Sequence, residues 1–161
     1  MAVRLVIFDC DRTLWDHDDV STLRPPFRRV EADAVVDSRG ERVHLFRGVR
    51  DVLETLRQRG LLISIASWNR PEHVFPVFEL LDLAAYFTHP KVEFHPQKEK
   101  MIGTLLAELA AEGHVLRPDE VLFVDDRRVN LERVRRALGP VRTLQAGVEI
   151  TDPRAILAYL D

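Results

Sequence analysis

Asp9 and Asp11 stand two residues apart at the end of the apolar run 4–8, and Asp125-Asp126 close a second apolar run, 121–124. Side chains in an extended segment alternate, so Asp9 and Asp11 point to one side. Two carboxylates there, joined by a second pair from another strand, would repel strongly in a low-dielectric crevice unless a cation sat among them. A strongly negative, oxygen-only donor set favours magnesium, which retains waters and binds phosphate. With such a cation and Lys98 offsetting the charge of an incoming phosphate, one carboxylate can act as nucleophile and a second can protonate the leaving oxygen. Ser67, with the N–H groups of the turn that follows, can hold the remaining phosphate oxygens.

These residues need elements that deliver them to one place. Runs 4–8, 61–66 and 121–124 are apolar without alternation, the pattern of parallel strands covered on both faces, and 141–144 reads as a last strand. Helices are expected at 49–59, 71–81, 98–112 and 128–138, the first ending at Gly60, the second opening on Pro71, and the others ending before Gly113 and Gly139-Pro140. Asp152 and Pro153 open a terminal helix. The fold class that follows is α/β, a doubly wound parallel sheet of about five strands with flanking helices. Ligands in such sheets bind beyond the carboxyl ends of the strands, where the first strand gives Asp9-Cys10-Asp11-Arg12-Thr13, the second Ser67-Trp68-Asn69 and the fourth Asp125-Asp126, while Lys98 opens the helix after the third. Segment 29–46 interrupts the alternation. Its runs 30–36 and 42–46, joined through Asp37-Ser38-Arg39-Gly40, are expected to pair as a β-hairpin flap over the end of the first strand. The whole of 1–161 is expected to be a single domain.

Composition narrows the function classes. The net charge of −3, from 26 acidic and 23 basic residues, leaves no positive excess for a nucleic-acid backbone. No apolar stretch approaches the roughly 20 residues of a membrane span. Cys10, the sole cysteine, excludes an internal disulfide and fits a reducing compartment, so the chain is read as cytoplasmic, and as a monomer by default with a dimer as the alternative. The six histidines are scattered and form no metal-ligand pattern. Any single aspartate after a strand is more often a cap or turn residue than a catalyst. Four at two strand ends, in company with Ser67 and Lys98, favour catalysis. Trp15 and Trp68 read as packing residues, Thr13 as a brace of its loop, and Asn130 as a brace of the Asp125-Asp126 loop.

In this order, Asp-x-Asp-x-Thr at Asp9 to Thr13, Ser67, Lys98 and Asp125-Asp126 resemble the motifs of the haloacid dehalogenase (HAD) superfamily over nearly the whole chain. Phe-Asp-Cys-Asp-Arg-Thr-Leu-Trp and Asp-Asp-Arg-Arg-Val-Asn are similar to the magnesium-dependent phosphatase-1 branch of its subfamily III. The resemblance implies Asp9 as nucleophile and metal ligand, and Asp11 as general acid/base whose backbone carbonyl also binds the metal. It implies Asp125 as a further metal ligand, and Ser67, with Trp68 and Asn69 beside it, and Lys98 as the phosphate-binding set; Lys100 is the second candidate for the lysine. Thr13, Asp126 and Asn130 support the site. The activity implied is a phosphoric monoester hydrolase acting through an aspartyl-phosphate, on a phosphotyrosine-like group or a sugar phosphate, carried by a small molecule or a phosphoprotein. Two alternatives stand beside it. The Leu14-Trp15, Ala66-Ser67-Trp68-Asn69 and Lys98 to Ile102 strings also resemble FkbH-like domains, which transfer a phosphoglycerate-derived unit to a carrier protein, and the same fold serves non-catalytic phosphate-binding modules.

Overall fold

The computed structural model describes residues 2–161. Its centre is a five-stranded sheet in the order β7-β6-β1-β8-β9. The strands are β1 (Leu5–Phe8), β6 (Leu62–Trp68), β7 (Lys91–Glu93), β8 (Val121–Asp125) and β9 (Arg142–Gln145), and every neighbouring pair is parallel. The apolar runs lack alternation because both faces are covered. Val6 and Phe8 face a core shared with Val52, Leu53, Leu56, Val74, Val77 and Phe78 of α1 (Val49–Gln58) and α2 (Pro71–Leu80). Leu5 and Ile7 face a second core with Met101, Ile102, Leu105, Leu131 and Val134 of α3 (Lys98–Ala111) and α4 (Arg128–Leu138). This is the doubly wound α/β architecture expected from the sequence.

From β1 the chain builds outward through β6 and β7, then returns to lay β8 and β9 on the other side. The topological switch therefore falls beside β1, where a crevice opens at the carboxyl ends of β1 and β8. Asp9 follows the last residue of β1 and Asp125 is the last residue of β8.

The segment between β1 and α1 departs from the expected hairpin. Run 30–36 is not one strand, since the chain reverses at Ala32-Asp33 and gives β3 (Arg28–Glu31) and β4 (Ala34–Val36), which pair antiparallel. The reversal is held by polar contacts invisible to β-propensity: the Arg29 and Arg50 guanidinium groups donate to the Ala32 carbonyl, and Arg50 also pairs with Asp33 at 2.7 Å. β4 then pairs with β5 (Arg42–Leu45) through the expected turn, where the buried Asp37 carboxylate accepts from the N–H groups of Arg39, Glu41 and Arg24. With β2 (Trp15–Asp16) the result is a four-stranded antiparallel sheet, β2-β5-β4-β3. The terminal helix Pro153–Tyr159 is a 3-10 helix. Among the described residues no helix is long and apolar enough to cross a membrane.

Candidate active site

Lys98 is the first residue of α3 and only 3% exposed. Its ammonium donates to Asp9 Oδ1 and to Asp125 Oδ2, each at 2.6 Å. The other Asp9 oxygen, Oδ2, accepts from the Thr13 hydroxyl at 3.1 Å, so both oxygens of this carboxylate are held. Asp125 is fixed as firmly: the Arg127 N–H donates to its Oδ1 at 2.8 Å, and the Asn130 side-chain amide to its Oδ2 at 3.1 Å. Oxygens of Asp9, Asp125 and Asp126 lie within 4.8 Å of one another, the only such group of candidate metal ligands among the described residues. An all-carboxylate set of this spacing suits a hard divalent cation.

Asp11 belongs to a separate network. Its Oδ1 accepts from the Trp15 indole N–H at 2.9 Å and from the Val20 N–H at 3.2 Å, while its Oδ2 accepts from the Asn69 amide at 2.8 Å. Asp9 and Asp11 nevertheless open into one cleft of about 230 Å³, with Asp18, Asp19, Trp68, Phe94, Lys98, Asp126, Arg127 and Asn130 as the rest of its lining. A second cavity of about 200 Å³, bounded by Phe8, Leu14, Phe46, Val52, Ile150 and Ile156, is apolar and holds none of these carboxylates.

The carboxylates of Asp9, Asp11, Asp125 and Asp126 outnumber the single ammonium of Lys98, which makes the site costly to ionise. Burial pushes the Asp9 carboxyl up to about 6, although Lys98 pulls it down. Burial also raises Asp11, opposed by the bonds from Trp15, Asn69 and Val20, and it raises Asp125 and Asp126. Lys98 moves upward too: burial disfavours its charge, but Asp9 and Asp125 together outweigh that. Both members of the Lys98–Asp9 pair thus shift upward, which favours the charged form of Lys98 but the neutral form of Asp9. Lys98 has two counter-charges, whereas Asp9 has one and lies beside further carboxylates.

The structure brings Asp9, Asp11, Lys98, Asp126 and Asn130 to the cleft, sets the fully buried Asp125 behind it against Lys98, and puts Thr13 against Asp9. It separates the two lysine candidates: Lys98 is buried in the site and Lys100 is exposed. Asp126, read from sequence as support, supplies the third carboxylate of the cluster. The turn after β6 differs from expectation. Ser67 is fully buried, and its Oγ accepts from the Asn69 amide at 3.0 Å. The Asn69 N–H is taken by the Glu93 carbonyl and the Arg70 N–H by the Ser21 hydroxyl, and both ends of the Asn69 amide bond protein groups. Only Trp68 of the three faces the cleft, at 44% exposed. The segment between β2 and β3 contributes Asp18-Asp19 to the cleft wall, and no residue of 29–46 lines it. Trp15, read as packing, is fully buried yet aims its N–H at Asp11, and Ser21 was not singled out at all.

The family model described as Acid Phosphatase matches residues 2–149. Human magnesium-dependent phosphatase 1 is 34% identical over 134 residues, spanning 83% of this chain and 73% of that protein. Among solved structures, a HAD-superfamily hydrolase from Geobacter sulfurreducens superposes with a TM-score of 0.71 at 17% identity, covering 99% of this chain and 97% of that one. The N-terminal part of a Bacteroides fragilis protein, containing a phosphatase domain and complexed with Mg, superposes with a TM-score of 0.66 at 19% identity; it matches 99% of this chain, which spans only 39% of it. At these identities the two structures speak for the fold.

Proposed function

We propose, from the premise that this chain belongs to the acid phosphatase family and is a phosphatase of the haloacid dehalogenase type, that it hydrolyses phosphate monoesters through an aspartyl-phosphate, an acyl phosphate on Asp9, with magnesium as cofactor. The observation that carries this reading is the setting of Asp9: both its oxygens are held, by Thr13 and Lys98, next to Asp125 and Asp126, while Asp11 reaches the same cleft on independent supports.

Asp9, Asp125 and Asp126 are the residues that would hold the cation. Bound there, it would offset carboxylate charge and let a dianionic phosphate approach. Lys98 neutralises what remains and binds a phosphate oxygen, and Thr13 keeps the Asp9 carboxylate from rotating. An Asp9 oxygen forms a bond to phosphorus as the bond to the leaving oxygen breaks. Asp11 gives its proton to that oxygen. Its Oδ1 already accepts two hydrogen bonds, so Oδ2 is the oxygen left to carry the proton. Asp11, now ionised, takes a proton from the water that attacks the aspartyl-phosphate, which restores both carboxyl groups and releases phosphate.

The aromatic rings of Trp68 and Phe94, 44% and 57% exposed, line the cleft, and the Arg70 guanidinium lies over the Phe94 ring, 4.2 Å from its centre. These surfaces favour a flat leaving group over a sugar. An aryl phosphate is therefore expected to exceed a hexose phosphate in kcat/KM by about tenfold, and Phe94→Ala to remove most of that margin. Equal rates on both substrates, unaffected by the substitution, would refute the aryl assignment.

Magnesium competes with the proton for Asp9. Because its folded-state pKa is raised from 3.8 to about 6, Asp9's contribution to the stability of the metal-free protein is fully present below about 3.8 and is lost as pH rises through about 6. Added magnesium should therefore raise the melting temperature far more at pH 7.5 than at pH 5, with affinity falling roughly tenfold per pH unit below 6. A magnesium-induced shift of the same size at both values would count against the carboxylate cluster as the metal site, and hydrolysis of p-nitrophenyl phosphate undiminished by a chelator would count against the cofactor.

A further inference from the structure

Asn69 is 1% exposed and binds Asp11 Oδ2, the oxygen left to carry the proton. A carboxamide can bind a carboxylate in only one of its two flipped orientations, since the other turns its carbonyl oxygen against a second acceptor. What selects the orientation here begins at the backbone. The Arg70 N–H donates to Ser21 Oγ at 2.8 Å. The Ser21 hydroxyl then directs its own proton to Asn69 Oδ1, and this leaves the Asn69 NH₂ group to face Asp11 Oδ2 at 2.8 Å and Ser67 Oγ at 3.0 Å. The polarity of the whole relay is thus set from its two ends, by an N–H that can only donate and by a carboxylate oxygen that accepts from Asn69.

Ser21 is itself held in place. It lies in a 3-10 turn, Val20–Thr22, capped by the Asp19 side chain, and a His73 ring nitrogen of α2 bonds the Val20 carbonyl at 2.8 Å. The same turn supplies the Val20 N–H to Asp11 Oδ1. One short segment therefore controls both oxygens of Asp11, directly at Oδ1 and through Asn69 at Oδ2.

We infer that Ser21 and Asn69 are positioning residues for proton transfer: the relay from Arg70 through Ser21 and Asn69 fixes the Asp11 oxygen that faces the leaving group. This rests on the reading of Asp11 as general acid. Neither residue lines the cleft, so their removal should matter in proportion to how much the leaving group needs a proton. The p-nitrophenolate group leaves readily without one, whereas p-methylphenolate, of nearly the same size, does not.

The test is kcat/KM, which reports transfer to Asp9, for p-nitrophenyl and p-methylphenyl phosphate with wild type, Ser21→Ala, Ser21→Thr, Asn69→Ala and Asp11→Asn. Ser21→Ala and Asn69→Ala should slow the p-methylphenyl ester about tenfold and the p-nitrophenyl ester about twofold, and Ser21→Thr, which restores a hydroxyl, should recover most of the loss. Asp11→Asn should show the same selectivity, only larger. If Asp11→Asn is selective but Ser21→Ala and Asn69→Ala slow both esters alike, the relay is structural and the inference fails alone. If Asp11→Asn slows both esters alike, the general-acid reading fails and takes the relay with it.

Discussion

Asp9→Asn is expected to lower phosphate release from p-nitrophenyl phosphate by at least about 10⁴-fold at saturating magnesium, because it removes the atom that bonds to phosphorus and leaves only the positioning and charge of the remaining site. The fold should survive. Asparagine keeps the shape of aspartate, its oxygen can still accept from Lys98 while its NH₂ donates to the Thr13 hydroxyl oxygen, and Lys98 keeps Asp125 as a counter-charge. The substitution also removes a carboxylate whose ionisation burial disfavours, as its pKa of about 6 records, so metal-free Asp9→Asn should melt no lower than wild type at pH 7.5. Thermal melts alongside the phosphate assay separate the two effects. Turnover within tenfold of wild type would remove Asp9 as nucleophile.

Lys98→Met should injure both activity and stability. Methionine fills much the same volume but leaves Asp9 and Asp125, both buried, without their shared donor. Stripping a partner from buried charges costs about 3–5 kcal/mol, and losing the phosphate-facing ammonium should reduce kcat/KM by about 10²- to 10³-fold. The pH dependence has a definite sign. Lys98 has a raised pKa, so its own stabilising contribution is present at every pH below its ordinary 10.5. Without it the carboxylates rise further, and the deficit grows as pH climbs from about 4 through 6 and beyond. Magnesium should restore part of the loss by supplying another positive charge. Urea unfolding at pH 5.5 and 8, with magnesium and with chelator, measures this, and a metal-free Lys98→Met as stable as wild type at pH 8 would show that the buried ion triad contributes nothing to the fold.

The backbone of this account was legible in the sequence because burial on both faces of a parallel sheet forces uninterrupted apolar runs, and the residues that end those runs lie at the crevice by geometry. Asp9, Asp11 and Asp125 are such residues. Lys98 and Lys100 could not be separated on composition, but a helix turns about 100° per residue, so two residues differ by about 200° and only one can face the sheet. Lys98, at the first position of α3, is that one. The reversal at Ala32-Asp33 was missed because it depends on Arg50, far along the chain, rather than on a local turn signature. The Ser21–Asn69–Asp11 relay was hidden for a related reason. Its members come from three separate segments, and the direction of its hydrogen bonds follows from the Arg70 N–H at one end, which no residue type announces, and the Asp11 oxygen at the other.

The most direct test of the central claim is to mix enzyme, magnesium and an aryl phosphate, quench in acid within the first turnover, and map the phosphorylated peptide by mass spectrometry. The account predicts an acid-stable, base-labile phosphate on Asp9, present in wild type and absent from Asp9→Asn. Steady turnover with no phosphorylated peptide, or with the phosphate on another residue, would contradict it.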